Sequence, residues 1–240
     1  MSLSAEVDGF LSSMRDLPED KPNTTEGLGQ KLEFKDLHLE LVSHPGANFS
    51  VEDNEVEISI KTPKPIKTTY KLLFGSQEFD CSRCAFSQTK GDIVLFIIRF
   101  PKKGFYKFYI FATPATEPGS SYPCVFTYLI EVKCMTRDVC FYPKQYSPWP
   151  ARGCFLYKPL SLDPNTTLEH VMFKVYVPHA KRVAVKAGDE WTHMDKSPEE
   201  HVWKAKVYLE HYRGKGVPVR INAGWTDDAS TYESLLEYIV

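Results

Sequence analysis

The segment Asn54 to Thr62, NEVEISIKT, turns Val56, Ile58 and Ile60 to one side and Glu55, Glu57 and Ser59 to the other. A period of two fits a half-buried strand and no helix. The same grammar recurs along the chain. FKDLHLEL, TTYKLLF, DIVLFIIRF, GFYKFYIFAT and CVFTYLIEV read as strands, and HVMFKVYV, AKRVAVKA, WKAKVYLEH, VPVRINAGW and YESLLEYIV follow after a proline-rich stretch. Turn residues in SQEFDCSRC, PKKG and PATEPGSSYP separate them at the spacing of antiparallel sandwiches. Helical periodicity is nearly absent after residue 30, so the expected class is all-β.

Two of these strands repeat. SYPCVFTYLIEV, Ser121 to Val132, and TYESLLEYIV, Thr231 to Val240, align at a shift of 110, with Tyr122 on Tyr232, Phe126 on Leu236 and Tyr128 on Tyr238. VEISIKTP from Val56 aligns with VMFKVYVP from Val171 at a shift of 115, and a proline ends both. A small drift in the shift is what unequal loops inside a duplicated domain produce. The length of 240 residues accommodates two domains of about 100 residues with adequate cores. The expected organisation is a tail at 1–30, a first immunoglobulin-like sandwich at 31–133, a linker at 134–150 and a second sandwich at 151–240. The tail holds one helix-compatible piece, VDGFLSSMRDL, that could place Val7, Phe10, Leu11 and Met14 on one face, and it is expected to pack loosely or to be left over from a neighbouring domain. Pro143, Pro148 and Pro150 disfavour regular structure in the linker.

Charge and hydropathy exclude several function classes. Lys and Arg number 29 against 31 Asp and Glu, and a net charge of -2 gives no long-range attraction for phosphate backbones. Nucleic acid is not an expected partner. The longest apolar run, IVLFII from Ile93, has the length of a buried strand and not of a membrane span. The N-terminus MSLSAEVDGF lacks the charged and apolar regions of a signal peptide, so the six cysteines are expected to be reduced thiols in a cytoplasmic protein. The Asn-X-Ser/Thr triplets at Asn23, Asn48 and Asn165 read as turns, Asn165 following Asp163-Pro164.

Three constellations invite chemistry. Cys81 and Cys84 have the spacing of half a zinc site, but no second pair of ligands stands at short spacing, and a redox pair would need a strand-to-helix context. Two thiols in a hairpin loop is the plainer reading. Cys154, His201 and Asp227 have the residue types of a cysteine triad, yet Pro159 and Pro164 bar the helix that would lower the thiol pKa. Trp191, Trp203 and Trp225 could stack on sugar rings, as in starch- and glycogen-binding sandwiches, although large aromatics more often fill cores. No cofactor or metal is expected, and no catalytic residue is assigned.

LHLELVSHP, NEVEISI, FYPKQYSPWPARGCFLYKPLS, FKVYVPHAKRVAV, DEWTHM, HVWKAKV and the ending YESLLEYIV together resemble the C-terminal region of the kyphoscoliosis peptidase and hillarin family, over about residues 31 to 240. The resemblance implies tandem immunoglobulin-like domains that in the family follow a transglutaminase-like domain with a Cys, His and Asp triad. That triad has no acceptable counterpart here, since HVWK matches the family's histidine motif only superficially. It further implies a non-enzymatic, cytoskeleton-associated region that binds a cytoplasmic protein. The candidate binding residues are Phe141, Tyr142, Tyr146 and Trp149 in the linker, together with an open strand edge. The same aromatics could instead clamp the two domains.

Overall fold

Alternating side chains build the fold directly: strand after strand turns one face inward, and two such faces close over a common interior. The computed structural model describes residues 3–119, 121–162, 165–228 and 230–240. They divide into two compact units, Phe10–Cys140 and Phe141–Val240, the latter joined by the described residues up to Gly9.

The first unit holds strands β1 (Gly29–Gln30), β2 (Glu40–Leu41), β3 (Asn48–Val51), β4 (Glu55–Lys61), β5 (Ile66–Phe74) and β6 (Phe79–Asp80). It continues with β7 (Ala85–Lys90), β8 (Ile93–Arg99), β9 (Gly104–Pro114) and β10 (Cys124–Val132). One sheet has the order β2-β4-β8-β7; the other runs β1-β10-β9-β5-β6, with β3 also on β10. The β3 pairing is parallel, whereas β1 pairs antiparallel with the same strand. Two sheets in this strand order, antiparallel except for the β3 pairing and closed over one core, are an immunoglobulin-like β-sandwich. Between the sheets Phe74, Phe96, Tyr106, Phe108, Phe126 and Tyr128 are each at most 1% exposed. Phe96 and Phe108 meet edge to face at 5.6 Å, a geometry that adds about 1 kcal/mol to the area they bury.

The segment FKDLHLEL is not one strand. Helix α2 (Leu32–Asp36) takes its first half and β2 keeps only Glu40–Leu41. Phe34 is 2% exposed and its ring lies 5.6 Å from that of Phe126, while His38 turns the chain at φ +52°. Packing of one aromatic residue thus overrides a local alternation.

The region before residue 30 is also more ordered than a loose tail. Helix α1 spans Leu3–Met14. Phe10 packs on Phe79 at 5.5 Å, and Met14 is 1% exposed with its sulfur 3.9 Å from the Cys81 thiol. The carbonyls at the helix C-terminus, which have no partner within the helix, accept from Lys102 Nζ: Met14 at 3.3 Å, Arg15 at 3.0 Å and Leu17 at 2.8 Å.

Past β10 the chain is tied back by Asn54, which is fully buried. Its amide donates to the carbonyls of Phe100 (3.1 Å) and Arg137 (3.0 Å), and its oxygen accepts the N–H groups of Thr136 (3.1 Å) and Arg137 (2.9 Å). All four hydrogen-bonding positions of the side chain are used.

The second unit holds β11 (Lys144–Gln145), β12 (Phe155–Lys158), β13 (Val171–Tyr176), β14 (Arg182–Ala187) and β15 (Glu190–His193), then β16 (Asp195–Lys196), β17 (Val202–Val207), β18 (Pro218–Gly224) and β19 (Glu233–Ile239). Its sheets run β12-β13-β17-β16 and β11-β19-β18-β14-β15. The prolines of the 134–150 segment do not exclude regular structure. β11 pairs with β19, and Pro148 opens the short helix α3 (Pro148–Ala151) at a position where a missing N–H costs nothing. The turn expected at Asp163-Pro164 lies outside the described residues.

The internal repeat has a structural counterpart. β4 and β13 hold the same place in corresponding sheets, as do β10 and β19. Tyr122 and Tyr232 are both half-buried just before these last strands. Tyr128 and Tyr238 are both buried, and each donates its hydroxyl to a carbonyl just past the second strand of its own unit, His44 after β2 at 3.1 Å and Pro159 after β12 at 2.8 Å.

Candidate interaction surfaces and buried thiols

In the 134–150 segment Phe141 is 5% exposed, Tyr142 6% and Trp149 0%. Tyr146 is half-buried and donates its hydroxyl at 3.0 Å to Glu237, a carboxylate that also accepts from Arg220. Three of the four aromatics therefore present almost no surface as folded. Alternating hydrophobicity cannot signal this, because the segment has no period; the β11–β19 pairing and α3 give it order, and α3 turns Trp149 inward.

The thiols considered for chemistry are shielded. Cys81, Cys84 and Cys154 are each at most 1% exposed, and burial pushes all three pKa values well above the ordinary thiol range. A buried thiol loses the solvation that a thiolate requires. Cys84 ends a 3-10 turn (Ser82–Cys84) between β6 and β7, and among the described residues no group of three or more His, Cys, Asp and Glu is placed to hold a metal ion.

The Cys154, His201 and Asp227 trio is engaged elsewhere. No helix begins at Cys154: α3 precedes it and β12 follows. The Nε2 of His201 lies 3.3 Å from Glu200, and its Nδ1 accepts the His179 N–H at 3.4 Å. Asp227 is bonded to Lys181, which holds its carboxyl below the usual range. With a maleimide reagent on the native protein, exposed Cys134 is expected to label first, and Cys154 at least about a hundredfold more slowly, as suits a thiol that reacts only during opening. Fast labelling of Cys154 would restore the triad.

The tryptophans separate by environment. Trp203 is 5% exposed, and Trp225 donates its indole N–H to the Pro178 carbonyl at 2.9 Å beneath the Arg152 guanidinium. Trp191 is 44% exposed on β15, the edge strand of its sheet. Tyr232 lies 5.1 Å from it, with Lys186 over the Trp191 ring and Arg182 over the Tyr232 ring. An edge strand that carries an exposed Trp191 against a half-buried Tyr232 can take an added strand and hold its side chains. No helix among the described residues is long and apolar enough to cross a membrane.

Comparison with solved structures returns immunoglobulin-type proteins. A chicken TCR structure covers 85% of this chain and 98% of its own at 6% identity and a TM-score of 0.30. The titin domains Z1Z2 in complex with telethonin cover 84% and 95% at 12% identity and 0.24. The titin tandem A164–A165 covers 79% and 89% at 7% and 0.23. No curated protein matches the chain. Residues 28–143, which contain the first sandwich, match the family model described as the KY-like, immunoglobulin-like domain.

Proposed function

We propose that the chain is a non-catalytic, protein-binding scaffold region of a cytoskeleton-associated protein related to the kyphoscoliosis peptidase and hillarin family, working in the cytoplasm on a cytoskeletal partner. The working units in this reading are the sandwiches at 31–133 and 151–240, with 1–30 preceding them and 134–150 between. The observation that carries it is the open edge β15 with Trp191 exposed beside Tyr232. Backbone pairing supplies affinity there and the rings supply choice. The KY-like match supports the family context, and the shielded thiols support a role without covalent catalysis. The linker aromatics Phe141, Tyr142, Tyr146 and Trp149 would join such a surface only through opening of their segment.

The test is a pull-down from muscle extract. The wild-type chain is expected to retain a cytoskeletal protein, and Trp191→Ala to weaken that retention at least about tenfold, as for a buried aromatic anchor. Retention of no cytoskeletal protein overturns the proposal. A carbohydrate-binding reading keeps one favourable observation, the Trp191–Tyr232 ring pair, and predicts that glycogen quenches tryptophan fluorescence.

A further inference from the structure

Lysines crowd the outer face of the β12-β13-β17-β16 sheet. Lys158 stands opposite Lys174, and Lys174 opposite Lys204, so three lysines form one row across three adjacent strands. Strand spacing sets neighbouring lysines about 4.8 Å apart at their backbones. Lys206, two residues along β17, faces Met172 on the same side. Like charges directly opposite in a sheet repel. Two carboxylates border the row: Asp195 faces Lys204, and Glu199 bonds Lys174 at 2.7 Å. Lys158, Lys204 and Lys206 are exposed and form no ion pair among the described residues.

Aromatic surface frames the cations. A bulge in β12 sets both Tyr157 and Lys158 against Lys174. The Lys174 ammonium lies 4.6 Å from the centre of the Tyr157 ring, which stacks edge to face on Phe155 at 5.0 Å. Tyr157 is 37% exposed and Tyr208, just past β17, 53% exposed.

We propose that this face docks an acidic stretch of a protein partner, its carboxylates on the Lys158–Lys174–Lys204 row and Lys206, and its other side chains on Tyr157 and Phe155. The patch is about 10 Å by 7 Å, two strand spacings by two residues, which suits two or three carboxylates of one short segment. A polyphosphate chain, charged at every repeat, meets more repulsion from the bordering Asp195 and Glu199 than a segment carrying two or three carboxylates. The proposal rests on the scaffold reading and names the chemistry of a partner on a face separate from β15.

The experiment measures binding of a 20-residue poly-L-glutamate to the full chain at low salt. The wild type is expected to bind, with affinity falling as salt is added. The variant K158Q/K204Q/K206Q should bind about tenfold more weakly, the sum of three exposed charge pairs, with a shallower salt dependence. K64Q/K71Q/K103Q, which removes exposed lysines of the first sandwich, should bind as wild type does. Equal weakening in both variants, or no binding by the wild type, overturns the proposal. So does tighter binding of phosphatidylserine vesicles or single-stranded DNA that the first variant alone abolishes, since the face would then serve a lipid or nucleic acid. If poly-glutamate fails while the muscle-extract pull-down still retains its protein, this proposal falls and the scaffold reading stands. If the pull-down retains nothing, the scaffold reading itself falls.

Discussion

Trp149→Ala is expected to cost the second sandwich about 4 kcal/mol, in the range for deleting a fully buried indole, and to lower its unfolding midpoint by about 15–20 °C for a unit of this size. The ring is 0% exposed on α3, which packs on β19, and the Trp149 carbonyl accepts the Cys154 N–H at 3.3 Å. Alanine would leave a cavity larger than the short helix can collapse into. Trp149→Phe keeps most of the apolar volume and should lose about half as much. Urea or thermal unfolding followed by far-ultraviolet circular dichroism reads both. An unfolding curve unchanged by Trp149→Ala, accompanied by lost ligand retention, would make the linker a binding surface after all.

Asn54→Ala is expected to destabilise the first sandwich by about 3 kcal/mol, because it removes four hydrogen bonds at once and leaves the Phe100 and Arg137 carbonyls without their donors. The midpoint should fall by about 10 °C. Asn54→Asp preserves the shape and the acceptors for Thr136 and Arg137 but removes both donors. It also sets a second carboxylate beside Asp53, so it should cost nearly as much. A loss below about 1 kcal/mol for alanine would mean that water replaces the side chain and that the segment after β10 is not held by it.

The two replacements bear on how the chain divides. Asn54 ties Thr136 and Arg137 to the first unit, whereas Phe141 onward belongs to the second. Residues 134–140 and 141–150 thus have different structural attachments, although they read as one proline-rich linker in the sequence.

What the sequence by itself determined is the strand grammar. Its period of two placed Val56, Ile58 and Ile60 inward, and all three are buried. The repeat paired β4 with β13 and β10 with β19 before any coordinates, because corresponding strands fill corresponding places in a core and keep similar side chains there. Tertiary structure alone decided the rest. FKDLHLEL carries the alternation of a strand, yet a buried Phe34 draws its first half into a helix. Asn54 merely opens a strand-like segment in the sequence, and only the fold brings Thr136 and Arg137 back to meet it. The row of Lys158, Lys174 and Lys204 gathers residues from three separate strands, so no window of sequence contains it. Local pattern reports which way a side chain turns, but only the register between strands reports what it meets.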